Sequence, residues 1–115
     1  MFSATFKAAL LATGIPAAHW SWGKDRAPRG DHIVWAEDAP DDLVANGLHA
    51  ERATSGTVDL FTRAYDGTTA AQVEAALESL PHVVWEQLDP LYEDDTEFVH
   101  YIWRVAEYGK NRNPV

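Results

Sequence analysis

Five histidines are the side chains best suited to metal ligation or proton transfer: His19, His32, His49, His82 and His100. They are dispersed along the chain. No two stand at the i, i+4 spacing that places two imidazoles on one helix face, and H-E-x-x-H does not occur. His19 and His32 would meet only across neighbouring strands, and isolated strand histidines more often belong to a surface or a core. Ser3, Ser21, Ser55 and Ser79 stand in no G-x-S-x-G context, so a nucleophile elbow is missing. The chain has no cysteine, which excludes disulfides, thiolate metal sites and a thiol nucleophile. Neither a P-loop nor a dinucleotide fingerprint occurs.

Two charged groupings remain. Glu86, Asp89, Glu93, Asp94, Asp95 and Glu97 crowd one stretch with no basic residue among them. Paired carboxylates can exchange protons or hold a divalent cation. The EF-hand spacing is lacking, so the stretch reads as a solvated hairpin tip. Lys24, Arg26 and Arg29 form the only local basic cluster in a chain of net charge -9. One reading is a solvated loop balanced by Asp25 and Asp31. The other is a contact with an acidic neighbour, such as Asp38, Asp41 and Asp42 of an identical subunit. Head-to-tail rings need two different complementary patches on each subunit, and these two sets would supply them. No catalytic set, cofactor site or metal site emerges, so the expectation is a structural, non-enzymatic subunit.

The composition agrees with that expectation. A length of 115 residues is that of one domain, and 46% hydrophobic residues suffice for a core without cross-links. Nine basic residues against eighteen acidic ones repel a phosphate backbone, so non-specific nucleic-acid binding is not expected. Five tryptophans are many for this length, and tryptophan is favoured in cores and at protein interfaces. Trp20, Trp22 and Phe98 are the candidate interface aromatics. A competing reading has Trp20, Trp22 and Trp35 lining a pocket of a small ligand-binding or enzymatic domain. A toxin–antitoxin or immunity partner also fits the size and acidity, with no motif behind it. No apolar run is long enough to span a bilayer, so no membrane partner is expected. The apolar residues 8–11 and 15–18 imitate a signal peptide only loosely. Lys7 is the only charge before them and Gly14 and Pro16 interrupt them, so an ordinary helix explains them better.

The elements that must carry these residues follow from periodicity. Phe2, Phe6, Ala9, Leu10 and Thr13 share a helical stripe, Ser3 or Thr5 can cap its start, and Gly14 with Pro16 ends it, giving a helix near 2–13. A short strand within 17–22, a polar loop over 23–30 and a strand over 32–37 follow. Asn46-Gly47 signals a turn. A long strand near 50–63 then has Thr54, Gly56, Val58 and Leu60 on one face, and Gly56 marks a bulge or a close backbone approach. Val73, Ala76, Leu77 and Leu80 make the stripe of a second helix, with Thr69 and Gln72 as a capping box, Glu74 and Glu78 toward solvent, and Pro81 as its end. Strands near 83–91 and 97–108 close the domain. In the last, Val99, Tyr101, Trp103 and Val105 share a face, while the opposite face is not clearly polar, which suits a surface covered or used in assembly. The order α-β-β-β-α-β-β is an α+β domain over 1–109, with helices packed on an antiparallel or mixed sheet. Residues 110–115 are expected to be a mobile tail.

The order of these patterns resembles the tail-completion, or tail-terminator, proteins of long-tailed bacteriophages and prophages. In ATGIPAAHWSWGKDRAPRGDHIVW a helix ends in a small-residue and proline turn, followed by an aromatic strand, a polar loop with proline and an extended strand. In DDLVANGLHAERATSGTVDLFTRAYDGTTAAQVEAAL an acidic loop leads to a long strand ending in a V-x-L-[YF]-T-like motif, here Val58 to Thr62, and then a helix. VVWEQLDPLYEDDTEFVHYIWRVAEYG is similar to that family's final hairpin, with its acidic tip and aromatic last strand. The likeness covers about residues 12–109. The family's frequent aromatic is missing from the loop of Asp41 and Asp42, and the tryptophan load is unusual. The resemblance implies a virion protein of the tail and neck, assembled in the host cytoplasm as a homo-oligomer, usually a hexameric ring. Such a ring caps the tail tube protein, stops its polymerisation and meets the head-tail connector or stopper protein. DNA passes through the lumen without specific binding, and an acidic lumen would not hold it. No cofactor and no catalysis are implied. Another head–tail connector or neck protein is the near alternative.

Overall fold

Helix α1 (Ala4–Ala12) is started and stopped by the residues its sequence offers for that purpose. Ser3 Oγ accepts the Phe6 N–H at 3.1 Å, satisfying one of the free donors of the first turn. Gly14, at φ 83°, takes the left-handed conformation that lets the chain leave the helix. The computed structural model describes residues 1–38 and 53–109. Asp41, Asp42, the Asn46-Gly47 turn and the tail 110–115 lie outside the described residues.

Strand β1 (Ala17–His19) runs parallel to β2 (His32–Glu37), and β2 pairs antiparallel with β3 (Ala53–Thr62). Helix α2 (Thr68–Glu78) follows, then β4 (Val83–Gln87), β5 (Leu91–Tyr92) and β6 (Val99–Tyr108). The mixed sheet has the order β1-β2-β3-β6-β4, with β5 also on β6. The chain is therefore an α+β fold with the expected element order. The strand expected over 83–91 is divided: β4 pairs with residues 103–107 of β6, and β5 with residues 99 and 100. Pro90, which has no N–H for the ladder, lies in the break.

Burial follows the two-residue period of a strand. In β3, Gly56, Val58, Leu60 and Thr62 are buried and their neighbours are not. This face joins Ile33 and Trp35 of β2 and Trp103 and Val105 of β6 to Phe2, Phe6 and Leu10 of the N-terminal segment and Val73 and Leu77 of α2. Both described helices thus pack on one face of the sheet. Gly56 is a close approach, not a bulge: a Cβ there would lie 2.1 Å from the Ala36 carbonyl oxygen of β2. The other face carries His32, Val34, Thr57, Asp59, Phe61, His100, Ile102 and Arg104, and among the described residues no helix covers it.

Two local expectations for α2 need correction. Its N-cap is Gly67, at φ 86°, with no side-chain cap bond. Thr69 already lies inside the first turn, so no capping box with Gln72 forms. Asp66 Oδ1 instead accepts from the Thr68 N–H (3.1 Å) and the Thr68 hydroxyl (2.8 Å), and Thr69 Oγ1 donates to Asp31 Oδ2. The two Thr68 bonds hold the Asp66 carboxyl below its ordinary range. Nor does Glu74 simply face solvent, whereas Glu78 is exposed as expected. Trp103 Nε1–H donates to Glu74 Oε2 at 2.9 Å, and Trp85 Nε1–H to Glu78 Oε1 at 3.1 Å. An indole packed under a helix needs an acceptor for its N–H, and two glutamates one turn apart provide it.

Candidate assembly surface

Lys24, Arg26 and Arg29 lie on the loop that returns from the end of β1 to the start of β2, and all three are exposed. The loop is held by its own polar contacts. The Trp20 N–H donates to the Trp35 carbonyl at 2.8 Å, the Gly23 N–H to Ser21 Oγ at 3.1 Å and the Arg26 N–H to the Gly23 carbonyl at 3.2 Å. Its closing end is tied to the rest of the chain by Arg63. That guanidinium donates to the Arg29 carbonyl (2.7 Å) and to the Thr96 carbonyl (3.1 and 2.8 Å). The basic loop and the acidic hairpin between β5 and β6 are therefore brought to the same end of the sheet.

The hairpin tip is well braced. The Glu93 N–H donates to the Phe98 carbonyl, the Glu97 N–H to the Glu93 carbonyl, and Thr96 Oγ1 to Glu93 Oε1. Tyr65 reaches it from the β3–α2 connection, its hydroxyl donating to the Glu97 carbonyl at 2.6 Å. Asp94, Asp95 and Glu97 stay exposed. Among the described residues every ion pair involves His19 or His100, so Lys24, Arg26, Arg29, Asp94 and Asp95 all have unpaired charges there.

Asp38 follows β2 at its far end, where its N–H donates to the Ser55 carbonyl. Six residues at about 3.3 Å each separate it from His32 by about 20 Å. The closing end of the basic loop and Asp38 thus lie at opposite ends of the strand, while the start of the loop, at Trp20, is bonded to Trp35.

The aromatic candidates divide. Trp20 is 60% exposed beside the end of β1. Trp22 is half-buried, its ring standing edge-on to His32 with centroids 6.3 Å apart. Phe98 is not a surface aromatic. It is 7% exposed, covered by the Arg63 guanidinium 4.0 Å above its ring and flanked by His32 and Phe61. Trp35 stands in the core against Phe2 and Phe6. Because Trp35 and Trp22 pack against opposite faces of β2, Trp20, Trp22 and Trp35 do not line one pocket. A hollow of about 310 Å³ beside β4 and β6 is lined instead by Val84, Glu86, Arg104 and Ala106 among others.

The histidines sort by face as well. His19 stacks on Trp35 at 4.0 Å, and its Nε2 lies 2.7 Å from Glu37 Oε1. His32 and His100 stack on either side of Phe61 on the opposite face, at 5.0 and 4.2 Å, so His19 and His32 do not meet. His100 Nε2 lies 2.7 Å from Asp59 Oδ2, and its Nδ1 lies 3.7 Å from Glu93 Oε2. No hydroxyl nucleophile adjoins this His–Asp pair in the contacts it makes. No group of three or more metal-ligating side chains occurs among the described residues. What sequence reasoning missed is the role of Arg63, whose partners lie more than thirty positions away in both directions. The chain matches no family model, no curated protein and no solved structure.

Proposed function

We propose that this chain is a structural virion subunit that assembles into a ring, caps the tail tube of a long-tailed bacteriophage and joins it to the head connector. The observation that carries the reading is the resemblance of the ordered patterns over residues 12–109 to that family. The physical form of the chain supports it. A sheet with both described helices on one face leaves the other face for contact with neighbours. Strands β1 and β4 end the sheet, and an edge strand offers unpaired backbone groups to another chain. The exposed Trp20, Leu91 and Tyr92 add apolar area of the kind that anchors protein interfaces. A net charge of -9 suits a ring through which DNA passes without adhering.

The role needs no chemistry from the subunit. Its work is to bind a tube end more tightly than another tube subunit does and to present a different surface on the far side. Adding the purified chain to a polymerising tail tube protein should stop elongation and leave a ring visible on one tube end by electron microscopy. Tubes that continue to lengthen with bare ends contradict the proposal.

A further inference from the structure

Resting on the ring-subunit reading, we propose the contact that builds the assembly: the basic β1–β2 loop of one copy seats on the acidic β5–β6 hairpin tip of the next, head to tail.

Four observations lead there. The first is charge. Lys24, Arg26 and Arg29 on one lobe, and Asp94 and Asp95 on the other, make no ion pair among the described residues. Arg63 stands between the lobes, bonded to two backbone carbonyls, and makes no ion pair with Asp94 or Asp95. The second is position. The basic loop follows β1 at one edge of the sheet, and the acidic tip follows β5 on the other side of β6. Arg63 ties the Arg29 end of the loop to the Thr96 turn of the tip, so two patches of opposite sign adjoin at that end of the sheet. Two different patches on one subunit define a heterologous contact, which closes into a ring when the rotation allows.

The third observation is apolar surface beside each charge. Trp20 stands exposed next to the basic loop, and Leu91 and Tyr92 stand exposed next to the acidic tip. Aromatic anchors rimmed by charge are the anatomy of a specific interface. The fourth is rigidity. The loop is fixed through Trp20, Gly23 and Arg26, and the tip through Glu93, Thr96 and Tyr65. Little order has to be imposed when the lobes meet, which favours binding. The complementary charges steer the encounter and set the register.

A charge-swap experiment tests it by light scattering. One variant carries Lys24→Glu, Arg26→Glu and Arg29→Glu, so both lobes are acidic. The other carries Asp94→Lys and Asp95→Lys, so both lobes are basic. All five side chains are exposed and make no side-chain hydrogen bond among the described residues, and circular dichroism verifies the fold of each variant. Each variant alone should lose the multimer that the unaltered chain forms. An equimolar mixture should recover that mass, with copies alternating. Raising the salt should dissociate the unaltered multimer, because exposed pairs are screened beyond a Debye length of about 10 Å at 0.1 M. If either variant keeps the full multimer alone, the contact is overturned while the ring reading stands. A mixture that stays monomeric, or stops at two copies, overturns the head-to-tail arrangement in the same way. An unaltered chain that stays monomeric at every concentration and with tail tubes present overturns the ring reading itself.

Discussion

Glu37 and Glu107 hold the first residues of the chain from two different strands. Glu37 Oε2 accepts the Phe2 N–H at 3.1 Å, and Glu107 accepts both the Ser3 N–H (2.7 Å) and the Ser3 hydroxyl (2.6 Å). Negative charge at the start of α1 also complements the helix dipole. Burial pushes the Glu37 carboxyl up, but hydrogen bonds from His19 and from the Phe2 N–H outweigh it and hold the group below its ordinary value of 4.5. A carboxylate with a depressed folded value stabilises the fold above that ordinary value, and the contribution fades as the pH falls through the folded one. Glu37→Gln should therefore destabilise the chain at pH 7 by about 1.5–3 kcal/mol, the scale of hydrogen bonds to a charged group. In urea unfolding the gap from the unaltered chain should narrow as the pH is taken from 7 toward 3. A gap constant with pH would remove the carboxylate's charge from the explanation. Ser3 and Gly14 were legible in the sequence, because a cap and a left-handed exit each act within their own element. Glu37 was not, because its partners His19 and Phe2 lie 18 and 35 positions away.

At the scale of elements, α2 is fastened to the sheet by more than its apolar stripe. Glu74 and Glu78 take the indole N–H groups of Trp103 and Trp85, so the helix register is set by two polar contacts as well as by Val73 and Leu77. Trp103 is fully buried, whereas Trp85 is only half-buried. Glu74→Ala should thus cost about 1–3 kcal/mol in urea unfolding, since it strands a buried donor. Glu78→Ala should cost well under half as much, because water can reach the Trp85 N–H. Equal effects would mean that the indole bonds do not distinguish the two glutamates. The helical stripe was legible from its 3.6-residue spacing, and so were the strands from their alternation. Glu74 was misplaced because periodicity ranks positions by apolarity and cannot see an indole donor arriving from another strand. The split between β4 and β5 shows the same limit: apolar content predicts one strand, and only the missing Pro90 N–H and the pairing on β6 reveal two.

Over the whole molecule, the described helices share one face of the sheet, and charge of opposite sign gathers at two lobes that Arg63 brings to the same end. The α+β order was readable from the chain, whereas the nearness of the lobes depended on the sheet order β1-β2-β3-β6-β4, which no local pattern encodes. Trp35 and Trp22 lie on opposite faces of β2, which breaks up the tryptophan pocket of the competing reading. On the proposed reading the exposed lobes are the contacts between copies. The most direct measurement is the solution mass of the purified chain by light scattering across a concentration series, alone and with tail tube protein. A discrete closed multimer, or a monomer that becomes a ring when tubes are added, is the expected result. A strict monomer, unchanged by concentration and by the tube protein, would contradict ring assembly.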